Sequence, residues 1–362
     1  MTAATTSSPE QTDLTRRLLA AVSRSFYLSL RILPSGMREP VSLAYLLARL
    51  TDTVADSSNL EPARRLHWLR QLGAAIAGDA LADNATETDW SLLAQELEPG
   101  IEHPGERELV RRTSECLARR AALPAQDQHE IGRVLNDIVR GQSWDVEWFE
   151  AHAAPRVSRD AGELHVRCAT DAAALHDYTY AVAGSVGRFW SRMCEQHTPG
   201  WHHRSVSAEQ IEHDGEQLGR GLQLINILRD APKDLKLGRC YLPITDPVSG
   251  LPELRGDLPS LSAQVREAAQ PWFDICQDKL NDGGRYVAAV RHRRLRLAAA
   301  LPWLLAEHTL DRLRRADPGI WQAGVKLTRR EVKSLLRRAT WRVLWHRPLD
   351  PLRPSRSAAT SP

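Results

Sequence analysis

The chain has 362 residues, of which 42% are hydrophobic and 26% are charged, as is usual for a globular protein. Its formal net charge of +3 is too small to indicate nucleic-acid binding, and no apolar run approaches the roughly 20 residues that a membrane-spanning helix needs. The five cysteines are widely spaced without a CxxC pair, which predicts reduced thiols in a cytoplasmic protein and argues against a disulfide framework or a zinc site.

Apolar residues recur with the helical period along most of the chain, and we find no segments that alternate like strands. We therefore predict an all-α fold with one domain at 13–347, between a lead at 1–12 and a tail at 348–362 whose compositions are typical of disorder. The predicted helices are 14–22, 41–55, 64–77, 107–120, 125–144, 163–174, 178–195, 208–228, 262–290, 295–315 and 328–344, with loops at 79–89 and 238–258.

The first informative motif is an acidic pair at the end of an apolar helix. Asp52 and Asp56 are four residues apart, so a helix places their carboxylates on one face. A carboxylate in apolar surroundings is unfavourable unless it meets a cation or hydrogen-bond donors. For this pair alone, capping of the helix end or an ion pair with Arg49 is the better interpretation.

A second polar line follows on a later helix. Asn226, Asp230 and Asp234 recur every four residues, and Gln223 lies one turn earlier. Ion pairs with Arg229 or Lys233 are again an alternative interpretation. Pro232 should end or kink this helix, because proline cannot donate the helical hydrogen bond.

Together the two motifs favour a magnesium and diphosphate site. Hard oxygen ligands suit Mg²⁺, which uses one or two carboxylates together with substrate phosphates. We therefore predict that the two pairs face one another across a central cavity. Nothing resembles a P-loop or a dinucleotide-binding glycine motif. Guanidinium groups available for phosphate oxygens are those of Arg24, Arg49, Arg229 and Arg239.

In their order along the chain, five segments resemble the motifs of the squalene and phytoene synthase family. The resemblance extends over roughly residues 14–345, under the usual prior for the size of a domain. The segments are Ser23–Phe26, Tyr45–Asp56, Tyr178–Gly187, Gln223–Asp234 and Gly238–Pro243.

The resemblance implies an isoprenoid-synthase-type helical bundle around a central cavity, which condenses two isoprenoid diphosphates head to head with Mg²⁺. It implies metal ligation by Asp52, Asp56, Asp230 and Asp234. It assigns catalytic roles to Tyr178, Arg229, Tyr241, Asp52 and Asp230. The implied substrate-binding residues are Ser23, Arg24, Phe26, Tyr45, Arg49, Gln223, Asn226, Arg239 and Tyr286.

Two positions depart from the family pattern. Ala55 stands where the first motif often has Glu, and Lys233 stands where the second often has Glu. The four aspartates are retained, but the loss of two carboxylates leaves the number of bound ions open.

The last third of the chain is similar to the squalene synthase branch, which reduces the cyclopropyl intermediate with NADPH. The similar segments are 286–291, 297–302 and 325–329, although Ala298 replaces the Phe usual near the reductive site. Lys326, Arg329 and Arg330 could meet NADPH phosphates, since Arg suits bidentate phosphate contacts. A solvated basic helix face explains these residues equally well. Without the reductive step, the resemblance implies a phytoene or dehydrosqualene synthase, or a presqualene diphosphate synthase.

The expected partners are isoprenoid diphosphates and no nucleic acid, and the expected state is a monomer. The Arg-rich segment 329–356 provides a way to contact anionic lipid at a membrane surface. Two other classes remain open: an assembly factor that has lost catalysis, and a head-to-tail prenyltransferase or terpene cyclase. Retention of the four aspartates argues against the first, and the segments at Tyr178 and 238–243 argue against the second.

Overall fold

A computed structural model describes residues 17–23, 30–78, 88–151 and 164–344. The predicted lead at 1–12, the tail at 348–362, and the candidate residues Arg24 and Phe26 lie outside these ranges.

Helices account for most of the described residues, which confirms the all-α class. In chain order they are α1 (Leu19–Val22), α2 (Ser35–Ala55), α3 (Pro62–Ala77), α4 (Trp90–Leu97), α5 (Pro104–Arg111), α6 (Thr113–Ala121), α7 (Ala125–Val146), α8 (Ala172–Thr179), α9 (Ser185–His197), α10 (Ala208–Lys236), α11 (Leu258–Ala268), α12 (Gln270–Ala289), α13 (Arg293–Arg315), α14 (Pro318–Ala323) and α15 (Arg329–Leu344). Single π-helical turns, Glu147–Ala151 and Tyr180–Gly184, follow α7 and α8, and a 3₁₀ turn, Glu98–Gly100, follows α4.

The described residues form two compact units. Within the described ranges, the first unit consists of residues 17–23, 30–78, 88–151 and 176–199, and the second of residues 164–175 and 200–344. In the first unit α2 packs against α3 and α7, and in the second α12 packs against α10 and α13. Each unit has its own apolar core: Leu46 and Leu50 of α2 are fully buried in the first, and Trp201 and Trp321 are 1% exposed in the second.

Local sequence signals fix several helix ends. The Ser207 hydroxyl accepts a hydrogen bond from the Gln210 amide at the start of α10, and the Asp257 carboxylate accepts one from Ser260 at the start of α11. Such side-chain caps satisfy amides that have no partner within the helix. Gly78 ends α3 with a φ of 80°, in the left-handed region that glycine tolerates best.

A small sheet in the second unit is not predicted by the sequence. Its strands are β1 (Leu164–Cys168), β2 (Arg239–Cys240) and β3 (Glu253–Gly256), in the order β2-β1-β3. The predicted helix at 163–174 is therefore wrong in its first half, and the predicted loop at 238–258 contains two strands. β1 pairs parallel to β2 and antiparallel to β3. Five residues are too few for a periodic signal, and only the tertiary contacts select the extended form.

Two predicted helices are each divided. The helix predicted at 262–290 is interrupted at Ala269 because Pro271 occupies the second position of α12, where a missing amide does no harm. The helix predicted at 107–120 is interrupted at Arg112, whose ψ of 22° is not helical. In contrast, α10 continues through Pro232 to Lys236, so Pro232 does not end this helix and the predicted end at residue 228 is wrong. Across the described ranges, no helix is long and apolar enough to cross a bilayer.

Candidate functional site

The first acidic motif lies on the last two turns of α2, in the first unit. The Gln142 amide of α7 donates to Asp52 Oδ1 at 2.6 Å, and Arg49 Nη1 lies 3.8 Å from Asp52 Oδ2. Arg49 itself is held by Glu106 of α5, whose Oε1 accepts from Nη2 at 2.5 Å. Asp56 follows at the helix end and is exposed. The alternative interpretation, an ion pair between Asp52 and Arg49, is therefore only weakly supported, because Arg49 lies closer to Glu106.

The electrostatics of Asp52 are unusual for a carboxylate that still exposes 47% of its side chain. Surrounding protein and the neighbouring Asp56 carboxylate raise the pKa of Asp52 to about 6, against the effects of Arg49 and Gln142. Because half of the side chain meets solvent, water moderates the desolvation. A bound cation beside the two carboxylates would relieve the repulsion between them.

A buried ion pair holds the end of this motif. Arg65 of α3 is 4% exposed, donates from Nη1 to the Ala55 carbonyl at 2.9 Å, and pairs with Glu150 through both terminal nitrogens. The last carbonyl groups of a helix have no partner within the helix. The guanidinium group therefore fixes the C-terminal end of α2, where Asp56 follows.

The second acidic motif lies on α10, in the second unit, and each aspartate is paired with an arginine. Arg229 donates Nε to Asp230 Oδ1 at 2.9 Å and Nη2 to Oδ2 at 2.6 Å, and this contact raises the pKa of Arg229. Arg239 Nε donates to Asp234 Oδ1 at 3.0 Å. Burial raises the pKa of Asp234, an effect that Arg239 opposes. The alternative interpretation of the second motif, an ion pair with Arg229, is therefore realised at Asp230.

The turn after α10 returns the chain toward Asp234. Gly238 has a φ of 76°, and an added Cβ would lie 3.2 Å from the His165 carbonyl of β1, so a side chain fits poorly. Arg239 follows in β2, and its guanidinium carbon lies 5.8 Å from the centre of the Tyr241 ring. Tyr241 is 8% exposed. The Gly238–Pro243 segment thus places Arg239 between a carboxylate and an aromatic ring.

Tyr178 lies near the end of α8 and is half-buried. Its ring packs against Trp144 of α7, with centroids 5.3 Å apart and an angle of 41°. Trp144 in turn meets Phe149 edge-on at 5.6 Å. The aromatic contact fixes the ring of Tyr178 by packing.

Other predicted substrate-binding residues differ in exposure. The Ser23 hydroxyl is buried and donates to the Leu19 carbonyl, and the Tyr45 hydroxyl donates to the Val22 carbonyl at 3.5 Å. Asn226 is exposed and donates to Gln223 Oε1 at 3.4 Å. Tyr286 is 1% exposed and packs against Trp201. Tyr286 therefore occupies a core position of the second unit.

The predicted NADPH-binding residues are exposed: Arg329 and Arg330 begin α15, and Lys326 lies three residues before it. Thr328 and Glu331 cap this helix reciprocally: the Thr328 amide donates to Glu331 Oε2 at 2.7 Å, and the Glu331 amide donates to the Thr328 hydroxyl at 3.3 Å. Arg329 and Arg330 occupy the first turn, where positive charge is unfavourable next to the helix dipole. α13 continues past Pro302 to Arg315, so the small-residue helix does not end at that proline.

The donor set fits Mg²⁺ of the kind that also binds substrate phosphates. Within the described ranges, no group of three or more His, Cys, Asp or Glu side chains could hold a metal alone. Each unit instead offers a pair of aspartates, and Mg²⁺ commonly binds through one or two carboxylates plus phosphates and water. That the two pairs meet at one cavity stays a prediction.

Sequence reasoning did not identify the residues that hold these side chains. Gln142, Glu106 and Arg65 lie 90, 57 and 10 residues from the motif positions that they contact. Gly141, five residues before the end of α7, was an available signal, because glycine inside a helix often marks a close contact.

Known proteins are similar to this chain in sequence and in fold. A family model described as squalene/phytoene synthase matches residues 19–331. The phytoene synthase of Thermus thermophilus is 26% identical over 63% of this chain and 57% of its own length. The squalene synthase of Schizosaccharomyces pombe is 24% identical over 88% of this chain and 63% of its own length. The matches thus span less than two thirds of either relative.

Among solved structures, a complex of TcSQS with the ligand BPH1237 superimposes with a TM-score of 0.66. The identity is 20%, and the superposition covers 92% of this chain and 89% of that one. The likeness confirms the isoprenoid-synthase type of helical fold that the motifs implied.

Proposed function

The chain belongs to the squalene/phytoene synthase family, whose members are head-to-head prenyltransferases, and we propose that it converts two farnesyl diphosphates to squalene. The reaction would use Mg²⁺ for the condensation through presqualene diphosphate, and NADPH for the reduction that follows. The observation that carries the proposal is the retained set of four aspartates: Asp52 lies in α2, Asp56 follows it directly, and Asp230 and Asp234 lie in α10.

The arginines beside these aspartates suit diphosphate binding. When bound, Mg²⁺ would supply positive charge to the leaving diphosphate. Arg229 and Arg239 hold the carboxylates of Asp230 and Asp234 by charge-assisted hydrogen bonds. Diphosphate oxygens are acceptors of the same kind, so the same guanidinium groups can donate to them.

Tyr178 would act on the carbocation side of the reaction. An aromatic ring face attracts a cation, and a phenol can move a proton. The contact with Trp144 orients the ring, and the half-buried position leaves part of it open to a ligand.

The extent of the matches favours the squalene synthase branch over the phytoene synthase branch. The Schizosaccharomyces squalene synthase matches 88% of this chain, against 63% for the Thermus phytoene synthase, although the latter is slightly more identical. Reduction would need NADPH, and Lys326, Arg329 and Arg330 are exposed basic side chains at or just before the start of α15 that suit its phosphates.

Product analysis tests the proposal directly. Purified enzyme is given farnesyl diphosphate and Mg²⁺, with and without NADPH, and products are identified by mass spectrometry. We expect squalene only with NADPH, and presqualene diphosphate or dehydrosqualene without it. The same product under both conditions would contradict the squalene synthase proposal and indicate a non-reducing enzyme such as a dehydrosqualene synthase. No condensation with either farnesyl or geranylgeranyl diphosphate would favour an assembly factor.

A paired variant tests the NADPH assignment. Lys326→Ala with Arg329→Ala should raise the KM for NADPH while leaving the first condensation unchanged. Lys333→Ala with Arg337→Ala removes two exposed charges further along α15 and serves as the control. Equal effects of the two pairs on the NADPH dependence would contradict the assignment.

A further inference from the structure

One stretch of α7, from Gly141 to Trp144, contacts two functional segments of the first unit. Gln142 hydrogen-bonds Asp52 at 2.6 Å, and Trp144 packs against Tyr178 at 5.3 Å between centroids. Neither Gln142 nor Trp144 was singled out by sequence. The stretch therefore links a predicted metal ligand and a predicted catalytic ring through one rigid helix.

The backbone of this stretch is fixed by close packing. A Cβ on Gly141 would lie 2.7 Å from Val182 Cγ1 and 2.9 Å from Ala181 Cβ. Such distances are shorter than side-chain atoms normally reach, so α7 lies against the Tyr180–Gly184 turn as closely as its backbone allows. The position of Gln142 along α7 is thereby set by packing independent of Asp52.

The orientation of the Gln142 amide follows from hydrogen-bond chemistry. An ionised carboxylate only accepts, so the amide nitrogen must face Asp52 and the amide oxygen must face away. Gln142 is 7% exposed, and Oε1 is buried with no donor among the described residues. A buried acceptor normally has a partner, which can be a protein donor, a water molecule or an ion. The side chain thus presents an acceptor directly beside Asp52.

A water molecule bound to Mg²⁺ is a donor of the required chemistry. Mg²⁺ gives up its hydration water reluctantly and usually keeps several water molecules when it binds a protein. Residues that hydrogen-bond a metal ligand orient it and increase its affinity for the ion. Gln142 has both of the groups that such a residue needs: a donor on the carboxylate and an acceptor for water.

We propose that Gln142 is a positioning residue that orients the Asp52 carboxylate for Mg²⁺ and accepts a hydrogen bond from a water molecule of the ion. This inference rests on the proposed Mg²⁺ function of Asp52. It assigns to Gln142 a role in cation affinity, separate from any role in holding α7 against α2.

Gln142→Met tests this role, because methionine keeps the length and helix propensity of the side chain and removes both hydrogen-bonding groups. Binding of Mg²⁺ in the presence of saturating inorganic pyrophosphate is measured by calorimetry, and the melting temperature by thermal unfolding. We expect a Kd for Mg²⁺ raised roughly 10- to 100-fold, the usual effect of removing such a partner, with little change in melting temperature. Asp52 remains half exposed, so water can replace the lost donor.

Gln128→Met is the matched control on the same helix. The Gln128 amide donates to the Ala121 and Leu123 carbonyls, so its loss should lower the melting temperature and leave the Kd for Mg²⁺ unchanged. Gln142→Asn, which keeps an amide but shortens it, is the second variant should Gln142→Met fail to fold. It should weaken Mg²⁺ binding in the same direction.

The outcomes separate the two levels of the proposal. If wild-type protein binds Mg²⁺ with pyrophosphate and a folded Gln142 variant binds it equally well, the role of Gln142 is wrong and the proposed function stands. If wild-type protein binds no Mg²⁺ under these conditions, the metal function of Asp52 fails and the inference fails with it. A weakened Kd for the Gln142 variants alone supports the positioning role.

Discussion

Asp52 combines a carboxylate that exposes 47% of its surface with a pKa raised to about 6 by surrounding protein and by Asp56. The folded protein therefore binds a proton between about pH 4 and pH 6 where the unfolded chain, with an ordinary carboxyl pKa, has lost it. Stability associated with this proton is present below about pH 4 and is lost as the pH rises to 6. Above pH 6 the ionised group destabilises the fold.

Asp52→Asn should consequently stabilise the metal-free protein while abolishing condensation. We expect no gain in the free energy of unfolding at pH 4, and a gain of up to about 1 kcal/mol at pH 7, kept small because water screens the half-exposed group. Thermal unfolding in EDTA at both pH values measures the gain, and product formation with saturating Mg²⁺ measures activity. Asp278→Asn, at an exposed position of α12, is the control and should change neither. Near-normal turnover of the folded Asp52 variant would contradict the metal role.

Tyr178→Phe should keep the ring against Trp144 and remove only the hydroxyl group. If the hydroxyl takes part in proton or leaving-group chemistry, kcat should fall by roughly 10²- to 10⁴-fold with little change in KM. Tyr180→Phe, whose hydroxyl donates to Asp137 Oδ2 at 3.3 Å, is the control and should retain normal kcat. Steady-state kinetics decide, and an unchanged kcat for Tyr178→Phe would count against the assignment.

At the scale of elements, the contact between α7 and the Tyr180–Gly184 turn depends on one missing side chain. Gly141→Ala would force a Cβ to within 2.7 Å of Val182 Cγ1, and such overpacking lowers the free energy of unfolding by about 1–3 kcal/mol. Gly73→Ala in α3 would place its Cβ 3.5 Å from Val139, an ordinary contact, and should stabilise by about 0.5–1 kcal/mol through helix propensity. Denaturant unfolding of both variants gives the comparison. Equal shifts would mean that α7 can move away from the turn.

The junction of α2, α3 and the Glu147–Ala151 turn depends on Arg65. Arg65→Met leaves the Glu150 carboxylate and the Ala55 carbonyl without their buried donor, so we expect a loss of about 3 kcal/mol in the free energy of unfolding. Arg64→Met removes the neighbouring pair with Glu96, where the arginine side chain is 36% exposed, and should lose no more than about 1 kcal/mol. Urea unfolding measures both. A small loss for Arg65 would show that water reaches the junction.

Helix existence was predictable from the sequence, whereas the strands were not. Long amphipathic helices such as α2 and α7 bury one face, and the apolar residues of that face recur in the sequence with the helical period. β1 has five residues whose extended form is stabilised by pairing with Arg239 and Leu254, which lie far along the chain. Local propensity cannot report such partners.

At the scale of the whole molecule, charge is distributed unevenly despite a net charge of only +3. The outer face of α15 carries exposed Arg330, Lys333, Arg337 and Arg338, and Trp341 is 49% exposed on the same face. The opposite face buries Leu335, Ala339 and Val343. Such a cluster of basic side chains can attract anionic lipid electrostatically, even though the apolar face of α15 is buried in the protein.

We expect the protein to co-sediment with phosphatidylglycerol vesicles and less with phosphatidylcholine vesicles, in a salt-dependent manner. Replacing Lys333, Arg337 and Arg338 by Gln should weaken binding by at least about tenfold, since each basic group near the surface contributes about 1 kcal/mol. Replacing exposed Arg204, Arg291 and Arg294 by Gln changes the net charge equally and is the control. Equal weakening by both triple variants would mean that net charge, and not this face, governs binding.

The sequence alone indicated the all-α class, the family, and two acidic motifs with a four-residue spacing, because all three depend on residue type and short-range spacing. The predicted helix at 208–228 stopped short of Asp230 and Asp234, and only the structure shows that α10 carries both. The tertiary structure decided what holds those residues. Three residues from other helices bind side chains or the backbone near the C-terminal end of α2: Gln142, Glu106 and Arg65. The hydrogen bond between Gln142 and Asp52, for example, joins positions 90 residues apart. No local pattern encodes such a contact, since it forms only when tertiary packing brings distant polar groups to hydrogen-bonding distance.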